Sequence, residues 1–391
     1  MCARAVPCFL LCVCLIAAGP GAAARRTTVT TSVGPTRLVS PGFGYSVAYR
    51  TVEGASTGKT TIGLFLYDQG SWRNVTPPTL RTDGIDVIDD VTFADPRHGW
   101  AAGYNCGEAA VYLYRTSDGG RTWRSLGKQA TRSCGGGPTF LSFVDDEHGW
   151  MEPVSPNGPV GVLYGTNDGG NTWKRLATGP PVQVRPGAPA LPCLAPIRFV
   201  SRATGWLARC GNGAVYSTDD AGRHWRRASI TTPTGSDARF DLPVFFGRAG
   251  VIAATLGTRP PAEPGHTRAV VFSVSRDGGE DWSVRSVRPI ASCALTPFFT
   301  ASWPASVAAA RVWWIVAGAS RPIVQVTSDA GRHWRSVVAD GLPTGRCSVT
   351  SVSAADSRVA WAVARDGGSN TGLFRTSDGG HTWKHTILLR R

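Results

Sequence analysis

Short apolar runs, broken at close intervals by glycine, proline and aspartate, pattern this chain from one end to the other. Between Val91 and Leu126 four of them follow in order, reading VTFA, GWAAG, VYLYRTS and TWRSL. β-Branched and aromatic residues fill the runs and Gly-rich segments separate them, which predicts four short strands. The third and fourth are joined by Asp118-Gly119-Gly120, a turn sequence.

The unit returns along the chain. The pattern Ser/Thr-x-Asp-Gly/x-Gly-x-Thr/x-Trp occurs at Thr116–Trp123, Thr166–Trp173, Thr218–Trp225, Ser275–Trp282, Thr327–Trp334 and Thr376–Trp383. A decayed copy, YDQGSW, runs from Tyr67 to Trp72. The tryptophans that end the copies are 51, 50, 52, 57, 52 and 49 residues apart. A second landmark lies upstream in each unit: FADPRHGWAAG from Phe93, FVDDEHGWMEP from Phe143, FVSRATGWLAR from Phe199, and a weaker ADSRVAWAVAR from Ala355. Trp313 and Trp314 hold its place in the sixth unit. Seven units of four antiparallel strands predict an all-β fold, a seven-bladed β-propeller with the Asp turns between third and fourth strands. The blades are expected near residues 36–80, 85–130, 134–180, 193–232, 238–290, 293–341 and 345–391. The first and last each hold four strands of their own, so the ring is expected to close without exchanging a strand.

Composition agrees. Helix formers are scarce, with 4 Lys, 2 Met and 6 Glu, against 47 Gly, 27 Pro and 14 Trp. The N-terminus reads as a leader: Arg4, an apolar run from Val6 to Ala18, a Gly19-Pro20-Gly21 break and Ala22-Ala23-Ala24 before Arg25. Residues 1–24 are therefore expected to be a signal peptide, and 25–35 an N-terminal extension. Export to the cell envelope or medium follows, with no membrane span after cleavage. Leu11 and Val13 precede Cys12 and Cys14, where a lipidation site wants small residues. Beyond the leader six cysteines remain, an even number that suggests disulfides in an exported chain. No close Cys-x-x-Cys spacing supports a metal site.

The formal net charge is +14, and 37 of the 41 basic residues are arginine. Such a surface favours acidic partners or is simply a solvated basic face. The arginines form no run, and an exported chain makes nucleic acid a poor partner.

The repeated motif has a local chemistry. Asp118, and likewise Asp168, Asp220, Asp277, Asp329 and Asp378, can accept backbone N–H bonds from the turn that follows. Trp123, Trp173, Trp225, Trp282, Trp334 and Trp383 start the outer strands and are expected to lie back over the blade. A catalytic group is needed once, whereas a folding device is needed in every blade. At these residues the chain resembles the Asp-box, or bacterial neuraminidase, repeat family, in which the motif is structural. The fuller unit, Phe-x-Asp, Gly-Trp, an apolar strand and Thr-x-Asp-Gly-Gly-x-Thr-Trp, looks like the photosystem II assembly and stability factors and their non-photosynthetic relatives. That resemblance covers most of the chain beyond residue 85. It implies an exported seven-bladed scaffold that binds without catalysis and carries no cofactor.

Strand topology puts the Asp turns and the DPRHGW-type turns on one face, and the remaining loops on the other. All six cysteines fall on that second face, where Cys106–Cys134, Cys193–Cys210 and Cys293–Cys347 are the favoured pairs among fifteen possible connectivities. The same face carries the long loops Thr51–Thr61, Gly179–Pro192 and Leu256–Arg268. Arg132, Arg185, Arg259, Arg268, Arg321 and Arg346 should lie on or near it, a rim able to grip carboxylates or phosphates.

An enzyme is the alternative, because Asp-box propellers include sialidases. A sialidase carries its first arginine in a Phe/Tyr-Arg-Ile-Pro motif, and Ser320–Val324, SRPIV, is not one. Other glycosidases need two carboxylates facing across a cleft. Asp86, Asp89, Asp90 and Asp241 approach the channel from inner strands, whereas Glu147 and Glu280 sit in turns on the far face. No Gly-x-Ser-x-Gly elbow supports a serine nucleophile. The sequence thus predicts a monomeric, exported, non-catalytic scaffold or assembly factor whose partner is a protein or an acidic glycan. The alternative is a glycan-active hydrolase or lectin-like binder.

Overall fold

The computed structural model describes residues 28–389, apart from 54–58, 132–136, 154–161, 179–195, 210–213, 234–235, 259–265, 295–303, 319, 346–347 and 366–369. The described chain forms seven antiparallel sheets in sequence order. Blade 1 is β1 (Thr28–Ser40), β2 (Phe43–Glu53), β3 (Lys59–Asp68) and β4 (Ser71–Asn74). Blade 2 is β5 (Val87–Phe93), β6 (Gly99–Asn105), β7 (Ala110–Thr116) and β8 (Arg124–Thr131). Blade 3 is β9 (Thr139–Phe143), β10 (Gly149–Pro153), β11 (Val162–Thr166) and β12 (Lys174–Thr178). Blade 4 is β13 (Ile197–Phe199), β14 (Gly205–Arg209), β15 (Ala214–Thr218) and β16 (Arg226–Arg227). Blade 5 is β17 (Ser236–Phe240), β18 (Val244–Phe246), β19 (Ala249–Thr258), β20 (His266–Ser275) and β21 (Ser283–Ala294). Blade 6 is β22 (Ala305–Ala309), β23 (Val312–Ala317), β24 (Ile323–Thr327) and β25 (Arg335–Val338). Blade 7 is β26 (Val349–Ala354), β27 (Ala360–Arg365), β28 (Thr371–Thr376) and β29 (Lys384–Thr386).

The seven-bladed, all-β architecture read from the repeat is borne out. Blade 5 has a fifth strand because its inner strand is cut in two. Pro243 has no N–H to give to a ladder, so β17 and β18 pair separately with β19 on either side of it. The expected extension at 25–35 is corrected in part. Residues 28–35 belong to β1, which pairs with β2 from Thr28 opposite Glu53 onward.

The core is not one mass. It is seven apolar layers, each lying between two neighbouring blades. The sequence landmarks build these layers. Phe143 of blade 3 stacks on Trp100 of blade 2 at 3.7 Å between centroids, and Phe199 stacks on Trp150 at 3.6 Å. The outer tryptophans then meet the phenylalanines edge-on, as Trp173 does Phe143. Each fully buried indole contributes on the order of 3 kcal/mol by area.

The ring closes through side chains, with no strand exchanged between β1 and blade 7. Thr31 N donates to Asn370 Oδ1 (2.8 Å), Val33 N to Thr371 Oγ1 (2.7 Å) and Leu38 N to Ser353 Oγ (2.9 Å). Trp361 fills the joint, lying tilted against Trp72 at 4.9 Å between centroids and meeting Tyr67 edge-on.

Candidate functional site: repeated turns and the channel lining

The repeated turns are folding devices. Asp118 accepts hydrogen bonds from Thr116 Oγ1 (2.9 Å), Thr122 N (2.9 Å) and Thr122 Oγ1 (2.6 Å). Gly120 N donates to Thr116 Oγ1 (2.8 Å), which closes the turn. Partial burial works against the Asp118 charge, but the Thr122 and Thr116 donors outweigh it and hold the carboxyl down to about 2. The same bonds recur around Asp168, Asp220, Asp277, Asp329 and Asp378. The turn also reaches into the preceding blade. At Gly170, φ is +90°, and a Cβ there would come within 2.7 Å of Leu113 of blade 2. Only glycine gives both the conformation and the approach.

Many arginines are spent on these joints. Arg73 Nη2 donates to Gly119 O (2.7 Å), Arg115 Nη2 to Asp146 O (2.8 Å) and Arg285 Nε to Ala330 O (3.1 Å), each across to the next blade. Arg124 reaches Asn171, and Arg226 pairs with Glu280. Arg335 Nη2 donates to Gly379 O (2.6 Å) beside a groove of about 560 Å³ between blades 6 and 7. The high arginine count is therefore partly intramolecular.

The inner strands β1, β5, β9, β13, β17, β22 and β26 surround the channel, each a neighbour of the next in most of the ring. One rung of this lining is set by the residues that pair with the large side chain near the start of each second strand. It consists of Arg37 (opposite Tyr45), Thr92 (Trp100), Ser142 (Trp150), Arg198 (Trp206), Val244 (Val251), Ser306 (Trp314) and Ser353 (Trp361). The serines lock blade to blade, because Phe199 N donates to Ser142 Oγ, Ala354 N to Ser306 Oγ and Leu38 N to Ser353 Oγ. In blades 1 and 4 arginines stand in that place.

The channel carboxylates singled out from the sequence are here with them. Asp90 accepts from Leu141 N (2.9 Å) and Val91 N (2.8 Å), and Asp89 from Thr139 N (3.0 Å). Asp241 accepts from Leu242 N (2.7 Å). Burial pushes the half-buried Asp90 up to about 7, against its backbone donors and the Arg37 charge. Asp241 is raised by burial, opposed first by Arg198. Burial and then the charge of Arg37 bring Arg198 down to about 10. Asp86 stands apart, capping Cys106 N at 2.7 Å.

The expected arginine rim lies mostly outside the described residues. Arg132, Arg185, Arg259 and Arg346 fall there, as does the side chain of Arg268, while Arg321 is exposed in the link from β23 to β24. Cys106 is disulfide-bonded. Cys134, Cys193, Cys210 and Cys347 lie outside the described residues, and so does the side chain of Cys293. Among the described residues no group of three or more His, Cys, Asp or Glu is placed to hold a metal ion. No helix among them is long and apolar enough to cross a membrane. Sequence reasoning missed Arg37 and Arg198. Their signal is an arginine where aligned copies carry Ser or Thr, as in IRF against LSF and VTF.

Seven radial sheets joined by repeated Asp turns make this a β-propeller of the repeat type. Residues 66–248 match the model of a family described as photosynthesis system II assembly factor YCF48. Over those residues, just under half of the chain, it is similar to the photosystem II assembly factor-like propellers that the repeat resembles. No curated protein matches the sequence. Among solved structures the chain is similar to YCF48 from Cyanidioschyzon merolae, at 19% identity over 78% of this chain and 86% of that one, with a TM-score of 0.44. It is also similar to oligogalacturonate lyase from Vibrio parahaemolyticus, at 7% identity over 90% of this chain and 91% of that one, with a TM-score of 0.52. A Hadza microbial sialidase, Hz136, matches at 13% identity over 92% of this chain and 66% of that one, with a TM-score of 0.34. These likenesses concern the fold.

Proposed function

We propose that this protein is an exported, non-catalytic propeller scaffold or assembly factor of the cell envelope. It engages an acidic partner, a protein or an acidic glycan, through its loop-rich, cysteine-bearing face. The observation that carries the non-catalytic reading is the use of the channel carboxylates. Asp89, Asp90 and Asp241 each accept a backbone N–H, and for Asp89 and Asp90 one of these bonds reaches the neighbouring blade. A glycosidase needs its two carboxyls directed at substrate, one to give a proton and one to attack or activate water. The family match over residues 66–248 supports the assembly role, and the +14 charge supports an acidic partner.

The test is a cross-linking pull-down from envelope extract of the source cell, with mature protein from Arg25 and a variant carrying Arg132→Ala, Arg185→Ala and Arg346→Ala. A partner captured by the first, released by salt and lost with the second supports the reading. Capture of the same set by both proteins contradicts the rim. One feature favours the hydrolase alternative: Asp90 holds a proton up to about 7, as a general acid does. Turnover of a glycan substrate that is abolished by Asp90→Asn would replace the scaffold with that enzyme.

A further inference from the structure

Two arginines of the channel rung have no ionic partner. Arg37 on β1 and Arg198 on β13 belong to blades 1 and 4, so they reach the channel from different sheets, and the charge of Arg37 is felt at Arg198. Neither forms an ion pair among the described residues. Arg198 Nη1 donates one hydrogen bond, to Pro243 O at 3.1 Å. Arg37 is exposed and commits one donor to the buried Tyr45 hydroxyl. A guanidinium carries five N–H donors, so most of those in this rung are uncommitted.

The neighbouring carboxylates do not neutralise them by contact. Asp90 uses one oxygen for Val91 N and the other for Leu141 N, and Asp241 takes Leu242 N. Both Asp90 oxygens and one of Asp241 are thus committed to the backbone, while most of the guanidinium donors have no partner among the described residues. The charge of Arg37 already acts against that of Arg198, and an anion between two such cations relieves the repulsion. In blades 3, 6 and 7 the rung is a seam of hydroxyls, where Ser142, Ser306 and Ser353 fasten the next strand. Arginine cannot serve that purpose, so its presence in blades 1 and 4 needs a different reason.

We propose that Arg37 and Arg198 form a binding site for a small oxyanion, a carboxylate or a phosphate, in the central channel. The two guanidiniums bracket the anion, each able to give it a paired, charge-assisted hydrogen bond. The site is separate from the loop-face contact proposed above, and its fate does not depend on that contact.

Isothermal titration of the purified protein at low salt tests this, with inorganic phosphate and galacturonate as probes and neutral galactose as control. Binding of either anion, weakened about tenfold or more by Arg37→Gln and by Arg198→Gln, is the expected result. Arg311→Gln, in the exposed turn between β22 and β23 on the Asp-turn face, should bind as the unaltered protein does. Phosphate alone or galacturonate alone would name the anion; galactose binding equally well would overturn the proposal. No heat with either anion would overturn it, as would unchanged binding by Arg37→Gln. Should Arg198→Gln fail to fold, Arg37→Gln decides alone, because that side chain is exposed and its loss removes only its bond to the Tyr45 hydroxyl within blade 1.

Discussion

A carboxylate in this protein titrates according to what it faces. Those in the repeated turns face hydroxyls and amides. Asp118 is held down to about 2, and Asp168 and Asp277 are also lowered. The stability they add is present above the ordinary carboxylate range and is lost as pH falls through their folded values. Asp90 runs the other way, because burial makes it bind its proton more tightly in the folded chain than in the unfolded one. Stability therefore declines as pH rises from about 4 towards 7. Urea midpoints measured from about pH 2 to pH 8 should fall on both sides of an acidic maximum, and Asp90→Asn should flatten the slope on the neutral side to the part that Asp241 contributes. An unchanged slope in the variant would contradict the assignment. The turn glycines carry a second expectation. Gly170→Ala meets both a positive φ and Leu113, whereas Gly127→Ala meets a positive φ and nothing within 4 Å. The first should cost about 2–4 kcal/mol and the second about 1 kcal/mol in denaturant unfolding. Equal costs would mean that Leu113 gives way.

Between neighbouring blades, the phenylalanine that ends an inner strand does more than the cations around it. Phe143→Ala removes the ring stacked on Trp100 and the edge that meets Trp173, and should cost about 3–5 kcal/mol. Arg73→Gln breaks an exposed bond to Gly119 O and should cost less than about 1 kcal/mol. Chemical denaturation of both variants checks the ranking. These elements were legible because each copy of the unit repeats them: Asp118, Trp123 and Phe93 announce a turn, an outer strand and an inner one. What the repeat did not announce are the places where a copy deviates. Pro243 splits an inner strand, and Arg37 and Arg198 replace a hydroxyl. A period averages such residues away, and only copy-by-copy alignment brings them out. β1 was read eight residues short because Thr28–Val33 has no counterpart in the other inner strands. Its partners are β2 and the Asn370–Thr371 edge of blade 7.

Across the whole molecule the stability is divided among seven joints, and the joints are not alike. Six receive a turn glycine pressed against the preceding blade, such as Gly120 against Leu66 and Gly380 against Val324. The seventh, between blades 7 and 1, has the decayed turn, and a Cβ at Gly70 would meet nothing within 4 Å. It relies on Trp361 and on backbone N–H groups that donate to Asn370, Thr371 and Ser353. Native-state hydrogen exchange should therefore open Thr31, Val33 and Leu38 before the matching amide of Phe199, which donates to Ser142. Ser353→Ala should hasten Leu38 further while leaving Phe199 unchanged. Uniform protection around the ring would contradict this order.

That seventh joint is also where the two ends of the described chain meet, β1 on the inside of one blade and β29 on the outside of the other. The propeller is in this sense a clasp whose hooks are its own ends. A force pulling those ends apart would fall first on the joint with the fewest interlocks. It would act edge-on, parting the bonds from Thr31 towards Leu38 one after another, and the remaining six blades would stay assembled as an open arc.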